Sequence, residues 1–291
     1  MPQTHRGISL SAARENPGGQ TFSGSSMLEL EFAELSDVGK VRGHNEDYLG
    51  HAAPASGHAR ERGWLFALAD GVGGQDRGEV ASRLAIETLR SGFQDYRPNE
   101  SPAACLQRLV QAANFKICES ASSATPGGSS MCTTVVACLL RFDRVIVGHV
   151  GDSRCYLIRR GQAEVLTQDH SLVGEQVRLG LISEEEAQHS ERRHVLSRSL
   201  GANLFVNVEL EERQLLAGDI LLLSSDGLHG TVSGTEMAIL TGQFHHLQEA
   251  AQALVSLARE KDGSDNISVQ LIRVKNVERM GMYRGRPYKL R

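Results

Sequence analysis

Trp64–Gly74 reads WLFALADGVGG, and the fold turns on how this stretch is read. Six mostly apolar residues, Trp64 to Ala69, carry the signal of a buried strand, which stops at Asp70 before a glycine-rich turn and a helical pattern. A carboxylate therefore stands where a strand ends. Glycines at 71, 73 and 74 permit positive φ and close backbone approach, so the Gly71 carbonyl is a candidate oxygen ligand beside Asp70. By itself the stretch favours a plainer reading, a strand closed by an ordinary Asp-Gly turn.

The pattern recurs along the chain. Asp219–Gly227 reads DILLLSSDG, another apolar run ending in Asp-Gly at Asp226, and Val145–Asp152 reads VIVGHVGD. Asp265 and Asn266 stand immediately before the strand-like run Ile267–Val274. If these strands are neighbours, Asp70, Asp152, Asp226 and Asp265 converge at one edge.

Composition bounds the class. A chain of 291 residues with 40% hydrophobic and 23% charged content is an ordinary globular protein, expected as one large domain because no linker interrupts it. A formal net charge of −4 argues against general nucleic-acid binding. Five scattered cysteines without a CxxC pair suggest neither a zinc site nor a disulfide framework and fit a reducing cytoplasm. Nothing approaches the roughly 18 consecutive apolar residues of a membrane span, and no secretory signal is visible.

In chain order, residues 1–26 read as a disordered leader rich in Ser, Gly, Gln and Arg. Leu28–Glu34 alternates apolar and charged residues, the mark of a strand with one wet face. Val41–Gly50, VRGHNEDYLG, sets Arg42, Glu46 and Asp47 close together. It reads either as a solvated loop or as an oxyanion grip beside a metal shell. Helical stripes follow at Arg77–Phe93 and Ala103–Ser120, then a Ser/Gly/Pro loop at Ser122–Ser130. Thr133–Leu140 with Val145–Val150, and Cys155–Arg159 with Ala163–Leu166, suit hairpins. Asp169–Gly201 is polar with short apolar pieces, a surface insertion of the kind that borders binding sites. Phe205–Leu210 and Ile220–Ser224 read as strands, Ser233–Glu236 as a capping box opening a helix, and Gln248–Arg259 as a further helix. Residues 276–291 form a basic tail. Strands group with strands and helices with helices, which predicts antiparallel sheets covered by helix pairs, an α+β arrangement without regular βαβ winding.

Arg42 with Asn45-Glu46-Asp47, the Asp70-Gly71-x-Gly73-Gly74 turn, Thr133-Thr134, Gly151-Asp152-Ser153-Arg154, Ser225-Asp226-Gly227 and Asp265-Asn266 stand in one order. That order resembles the metal-dependent serine/threonine phosphatases of the protein phosphatase 2C (PPM) type, bacterial branch, over about residues 28 to 275. The resemblance implies a four-layer α-β-β-α sandwich of two antiparallel sheets flanked by helix pairs, within a domain spanning 27–275 whose flap covers about 169–201. It implies two Mn²⁺ or Mg²⁺ ions and a third, weaker one. Asp70 would bridge the pair, the Gly71 carbonyl would ligate one ion, and Asp226 with Asp265 would complete the other. Asp152 would help hold the third ion, Glu46 and Asp47 would bind metal-bound water, and Arg42 would grip phosphate. Substrates would be phosphorylated Ser/Thr proteins, including a cognate Ser/Thr kinase, and the chain would act as a cytoplasmic monomer.

The chemistry stands beside that resemblance. Oxygen ligands without His or Cys select hard ions, and an ion pair can bring a bridging water's pKa from ~15.7 towards neutrality to give a hydroxide nucleophile. Arg42 offers a planar fork for two phosphate oxygens. The leaving alkoxide needs a proton donor, from metal-bound water or a nearby His; His44 stands close to the motif and reads equally as a surface residue. Two departures stand out: Val72 occupies a place that is His in eukaryotic members, and Cys132 stands where glycine commonly precedes Thr-Thr. A catalytically weak phosphoprotein-binding module on the same fold is the alternative from another class. A two-metal nuclease ranks last, because the basic surface is missing.

Overall fold

The computed structural model describes residues 28–53, 62–72, 77–95, 97, 100–124, 131–183, 186, 190, 192, 195–283 and 286–289. The leader 1–26, Gly73, Gly74, part of the Ser122–Ser130 loop and part of the flap lie outside the described residues.

Strand β3 (Trp64–Asp70) explains its own sequence. Leu65, Ala67 and Ala69 face one apolar core, while Phe66 and Leu68 face another. A strand covered on both faces needs no polar alternation, so it reads as a continuous apolar run. It lies between β2 (Asp47–Ala52) and β4 (Val135–Arg141), and the sheet continues through β5 (Arg144–Val150) to β8 (Glu209–Gln214). The second sheet runs in the order β1 (Glu29–Asp37), β10 (Ile267–Asn276), β9 (Ile220–Ser224), β6 (Arg154–Arg159) and β7 (Gln162–Val165). Every pairing in both sheets is antiparallel.

Three apolar cores make four layers. Between the sheets, Phe66, Leu68, Val136 and Val147 meet Leu157, Leu221, Leu223 and Ile272. Helices α1 (Gly78–Gln94) and α2 (Pro102–Ala124) cover the first sheet through Ala85, Ile86, Leu89, Leu106, Leu109 and Ala113. On the second sheet, α5 (Gly234–Gln243) and α6 (Leu247–Lys261) bury Met237, Ala238, Ala251, Leu254 and Ala258. The α-β-β-α sandwich expected from the resemblance is the observed architecture. Ser233 caps α5 as its spacing predicts: its Oγ accepts from Glu236 N while Glu236 accepts from Ser233 N, at 3.3 and 2.9 Å. Both expected hairpins form, β4–β5 and β6–β7, the latter turning through Arg160 and Gly161 at φ 53° and 76°.

Three segments differ from their sequence reading. The strand expected at Phe205–Leu210 lies at Glu209–Gln214, while Phe205 is 81% exposed. As an edge strand paired only with β5, β8 needs little apolar content, so the apolar run misplaced it. Val41–Gly50 is only partly loop, because Asp47 opens β2, a second edge strand. In the basic tail, Met280–Tyr283 (β11) pairs with Arg286–Lys289 (β12). Within the flap, Ser171 Oγ accepts from Gly174 N at 3.1 Å and caps the short helix α3 (Leu172–Arg178). No described helix is long and apolar enough to cross a membrane.

Candidate metal centre

In antiparallel sheets alternate strand ends share an edge, and one such edge carries the acids. Asp47, first in β2, is the cross-strand partner of Asp70, last in β3. On the facing sheet, Asp226 follows β9 as the first residue of α4 (Asp226–His229), Asp265 shortly precedes β10, and Asp152 shortly precedes β6. Ser224 of β9 pairs with both Val269 and Arg154, so these ends are adjacent.

The carboxyls are close enough to disturb one another. Burial pushes Asp70 well above the usual carboxylate range, and Asp47, Asp226, Asp152 and Asp265 each push it further. Asp47 is pushed up to about 7, chiefly by burial, with Asp226 and Asp265 adding against the hydrogen bond from Ser225. Burial, then Asp226 and Asp169, push Asp152 up to about 7. Concentrating like charge in an enclosed edge is costly unless a cation offsets it.

Polar residues around the strand ends hold these acids in place. Asp70 N donates to Thr134 Oγ1 at 3.0 Å, and its carbonyl accepts from Thr133 Oγ1 at 2.7 Å and Thr134 N at 2.8 Å. Ser225 Oγ donates to Asp47 Oδ2 at 2.8 Å and accepts from Ser268 N at 3.0 Å. The other oxygen, Asp47 Oδ1, is buried without a hydrogen-bond partner among the described residues. Asn266 ties the loop before β2 to β10: its Oδ1 accepts from Glu46 N at 2.8 Å, and its Nδ2 donates to the carbonyls of Val38 and His44 at 3.0 and 3.1 Å. Gly71 N donates to Glu46 O at 3.1 Å, and a Cβ at Gly71 would come within 2.8 Å of that oxygen. Only glycine fits this approach.

The remaining candidates sit at the rim. Arg42 Nη2 donates to Asp265 Oδ2 at 2.7 Å, with the two side chains 42% and 35% exposed. An ion pair so open to solvent is weak and exchanges readily. Glu46 Oε1 lies 3.0 Å from His44 Nε2, and Glu79 of α1 brings a further carboxylate, all three ligand atoms lying within 4.8 Å. The edge thus gathers Arg42, Glu46, Asp47, Asp70, Gly71, Asp152, Asp226 and Asp265. Its donors are carboxylate and carbonyl oxygens with one buried acceptor unpartnered, a set that fits a hard divalent cation.

Comparison with known proteins agrees with this geometry. Residues 43–264 match the family described as Protein phosphatase 2C. The chain belongs to the protein phosphatase 2C family. The serine/threonine phosphatase Stp of Listeria innocua is 35% identical over 254 residues, covering 86% of this chain and 96% of its own. The crystal structure of the Mycobacterium tuberculosis serine/threonine phosphatase PstP/Ppp superposes with a TM-score of 0.74 at 36% identity, covering 84% of this chain and 99% of that one. A structure of the PstP catalytic domain, in complex with 2 manganese ions, has a TM-score of 0.71 at 36% identity over 84% of this chain and 98% of that one. This chain is accordingly a phosphoprotein phosphatase of the serine/threonine class.

Against that family pattern, the Cys132 thiol is half-buried while its carbonyl accepts from Val72 N at 3.0 Å, which joins the two departures in one backbone contact. Sequence reading missed Ser225, Ser268 and Asn266 as supports. Ser225 and Asn266 were flagged only by adjacency to an acid, and Ser268 is hidden in an apolar run. It also missed His170, whose Nδ1 accepts from Gly151 N at 3.1 Å, one residue before Asp152. His149, His170 and Glu209 offer ligand atoms within 4.8 Å of one another, but the two imidazoles stack at 4.6 Å and 15°. Ring lone pairs lying in parallel planes do not converge on one ion, so this cluster is a hydrogen-bonded support.

Proposed function

We propose that Asp70, the Gly71 carbonyl, Asp226 and Asp265 hold two Mn²⁺ or Mg²⁺ ions with which the chain hydrolyses phosphoserine and phosphothreonine in proteins. Asp152 contributes to a third, weaker site, and Glu46 and Asp47 accept hydrogen bonds from metal-bound water. The observation that carries this reading is the unpartnered, buried Asp47 Oδ1 among carboxyls whose protons are held by burial and mutual repulsion. When bound, such an ion pair activates water as nucleophile and offsets phosphate charge.

The protein's own part is placement. Thr133 and Thr134 fix the Asp70 backbone, and Ser225 turns Asp47 so that Oδ2 is satisfied and Oδ1 remains available. Arg42, on a solvent-exposed pair with Asp265, can exchange that carboxylate for two phosphate oxygens, where its fork offsets charge that grows towards the transition state. The proposed domain spans 27–275, between a leader at 1–26 and a basic segment at 276–291. Five cysteines with no disulfide framework support a cytoplasmic setting, and three closed apolar cores support a monomer. A Ser/Thr kinase of the same cell is among the proposed substrates, as a phosphoprotein of the matching class.

The test is Mn²⁺-dependent phosphate release from a phosphothreonine peptide by the native chain and by Asp226→Asn. Metal-dependent turnover that falls about 10²–10³-fold in the variant is expected. A folded, metal-binding native chain without turnover would instead identify a phosphoprotein-binding module.

A further inference from the structure

The returning arm of the flap lines a half-open cavity of about 330 Å³. Ser197, Arg198, Ser199, Asn203 and Asn207 line it, with Phe205 among its walls. Arg198 Nη1 lies 3.0 Å from His170 Nε2 and donates to the Asn207 carbonyl at 3.2 Å. Its guanidinium has no other partner among the described residues and no carboxylate in ion-pair range. Glu209 engages His170 Nε2 at 3.0 Å. The side chains of Ser197, Ser199, Asn203 and Asn207 likewise make no hydrogen bond among the described residues. A concave polar site with a charged fork and uncommitted amides and hydroxyls is built for an anion, since unused donors are satisfied by oxygen acceptors.

The cavity is tied to the catalytic edge through the backbone. Leu200 and Thr133 exchange N–H···O bonds at 2.8 and 3.2 Å, and Thr133 bridges to Gly71 while its hydroxyl donates to the Asp70 carbonyl. Arg198 lies two residues before Leu200, at most about 7 Å along the chain at roughly 3.3 Å per residue, and the two cross-strand steps from Leu200 through Thr133 to Gly71 add about 5 Å each. A bound peptide covers that span, at most about 17 Å, in about five residues or fewer. Phe205, which lines the cavity, is 81% exposed and its neighbour Leu204 is 53% exposed, so the cavity carries apolar surface beside its polar groups.

The geometry points to the Arg198 cavity as a subsite for an acidic side chain, carboxylate or second phosphate, within about five residues of the phosphoserine or phosphothreonine being hydrolysed. The subsite rests on the phosphatase reading above and names a substrate feature that reading leaves open. Arg198 selects among substrates, while Arg42 and the carboxylates act on whichever phosphate is delivered.

The experiment is steady-state hydrolysis, with Mn²⁺, of three sets of phosphothreonine peptides: one with neutral flanks, one with glutamate stepped through the five flanking positions on either side, one with a second phosphothreonine stepped through the same positions. The readout is the KM ratio of neutral to acidic peptide. For the native chain a ratio of roughly five to ten is expected, the scale of one charge-assisted hydrogen-bonded contact. Arg198→Gln should bring the ratio to about one, Arg198→Lys should keep part of it, and Asn203→Asp, which adds a repelling charge, should also reduce it. Preference shared by both acidic peptides identifies any carboxylate or phosphate as ligand; preference confined to the second phosphothreonine identifies phosphate. A native ratio of one at every position, or a ratio that survives Arg198→Gln, overturns the subsite. Failure to hydrolyse every peptide and p-nitrophenyl phosphate overturns the phosphatase reading as well, so the two failures are told apart. Should Arg198→Gln not fold, judged by circular dichroism, the Asn203→Asp ratio decides, and an unchanged value overturns the proposal.

Discussion

Asp47 concentrates the physics of this site in one side chain. One oxygen is satisfied by Ser225 and the other is buried without a partner, while burial holds the proton on up to about pH 7. Asp47→Asn removes the buried charge, so the chelator-treated variant should melt about 2–4 °C above the native chain at alkaline pH, the scale of about 1 kcal/mol. Its Mn²⁺-induced rise in Tm should shrink at the same time, and thermal melts with and without metal check both. Arg42→Lys keeps the charge but loses the planar fork. Peptide kcat/KM should fall about ten- to a hundredfold, and an unchanged value would remove Arg42 from phosphate binding.

Among the elements, the turn after β3 has the least freedom. A Cβ at Gly71 would lie 2.5 Å from the Gly78 carbonyl oxygen and 2.8 Å from that of Glu46, both backbone atoms that cannot swing aside. Gly71→Ala should therefore cost about 1–3 kcal/mol by overpacking and weaken Mn²⁺ binding by separating the loop before β2 from α1. Calorimetric titration with Mn²⁺ reads the second effect without any turnover. Element types were largely legible in the chain, because amphipathic stripes such as Leu106, Leu109 and Ala113 and doubly buried runs such as Leu65–Ala69 follow from local periodicity. The edge strands of the first sheet were not. Asp47–Ala52 and Glu209–Gln214 draw their strand character from partners in β3 and β5, and half-exposed edge strands carry little apolar signature.

Across the whole molecule, opposed titrations set the dependence on pH. Asp47 and Asp152 rise from an ordinary 3.8 to about 7, and Asp70 also rises. Folded-state values above unfolded ones mean that the metal-free fold has this stability in full below about pH 4 and loses it as pH rises through about 7. Desolvation pushes His229 the other way, from 6.5 down to about 4, so its contribution is present above pH 6.5 and is lost as pH falls towards 4. Metal binding replaces the carboxyl protons, so the Tm gained on adding Mn²⁺ should be larger at about pH 8 than at about pH 5.5. An equal gain at both values would show that these carboxyls do not titrate with the metal. The sequence by itself determined the antiparallel strand runs, the helix pairs, the glycine after Asp70 and the aspartates at strand ends, because periodicity, capping and turn chemistry are local. Only the tertiary structure decided that those aspartates share one edge, that Ser225 leaves Asp47 Oδ1 unpartnered, and that Arg198 opens into a cavity. Each of these depends on which strands become neighbours, and antiparallel pairing between distant segments is set by packing the three cores together.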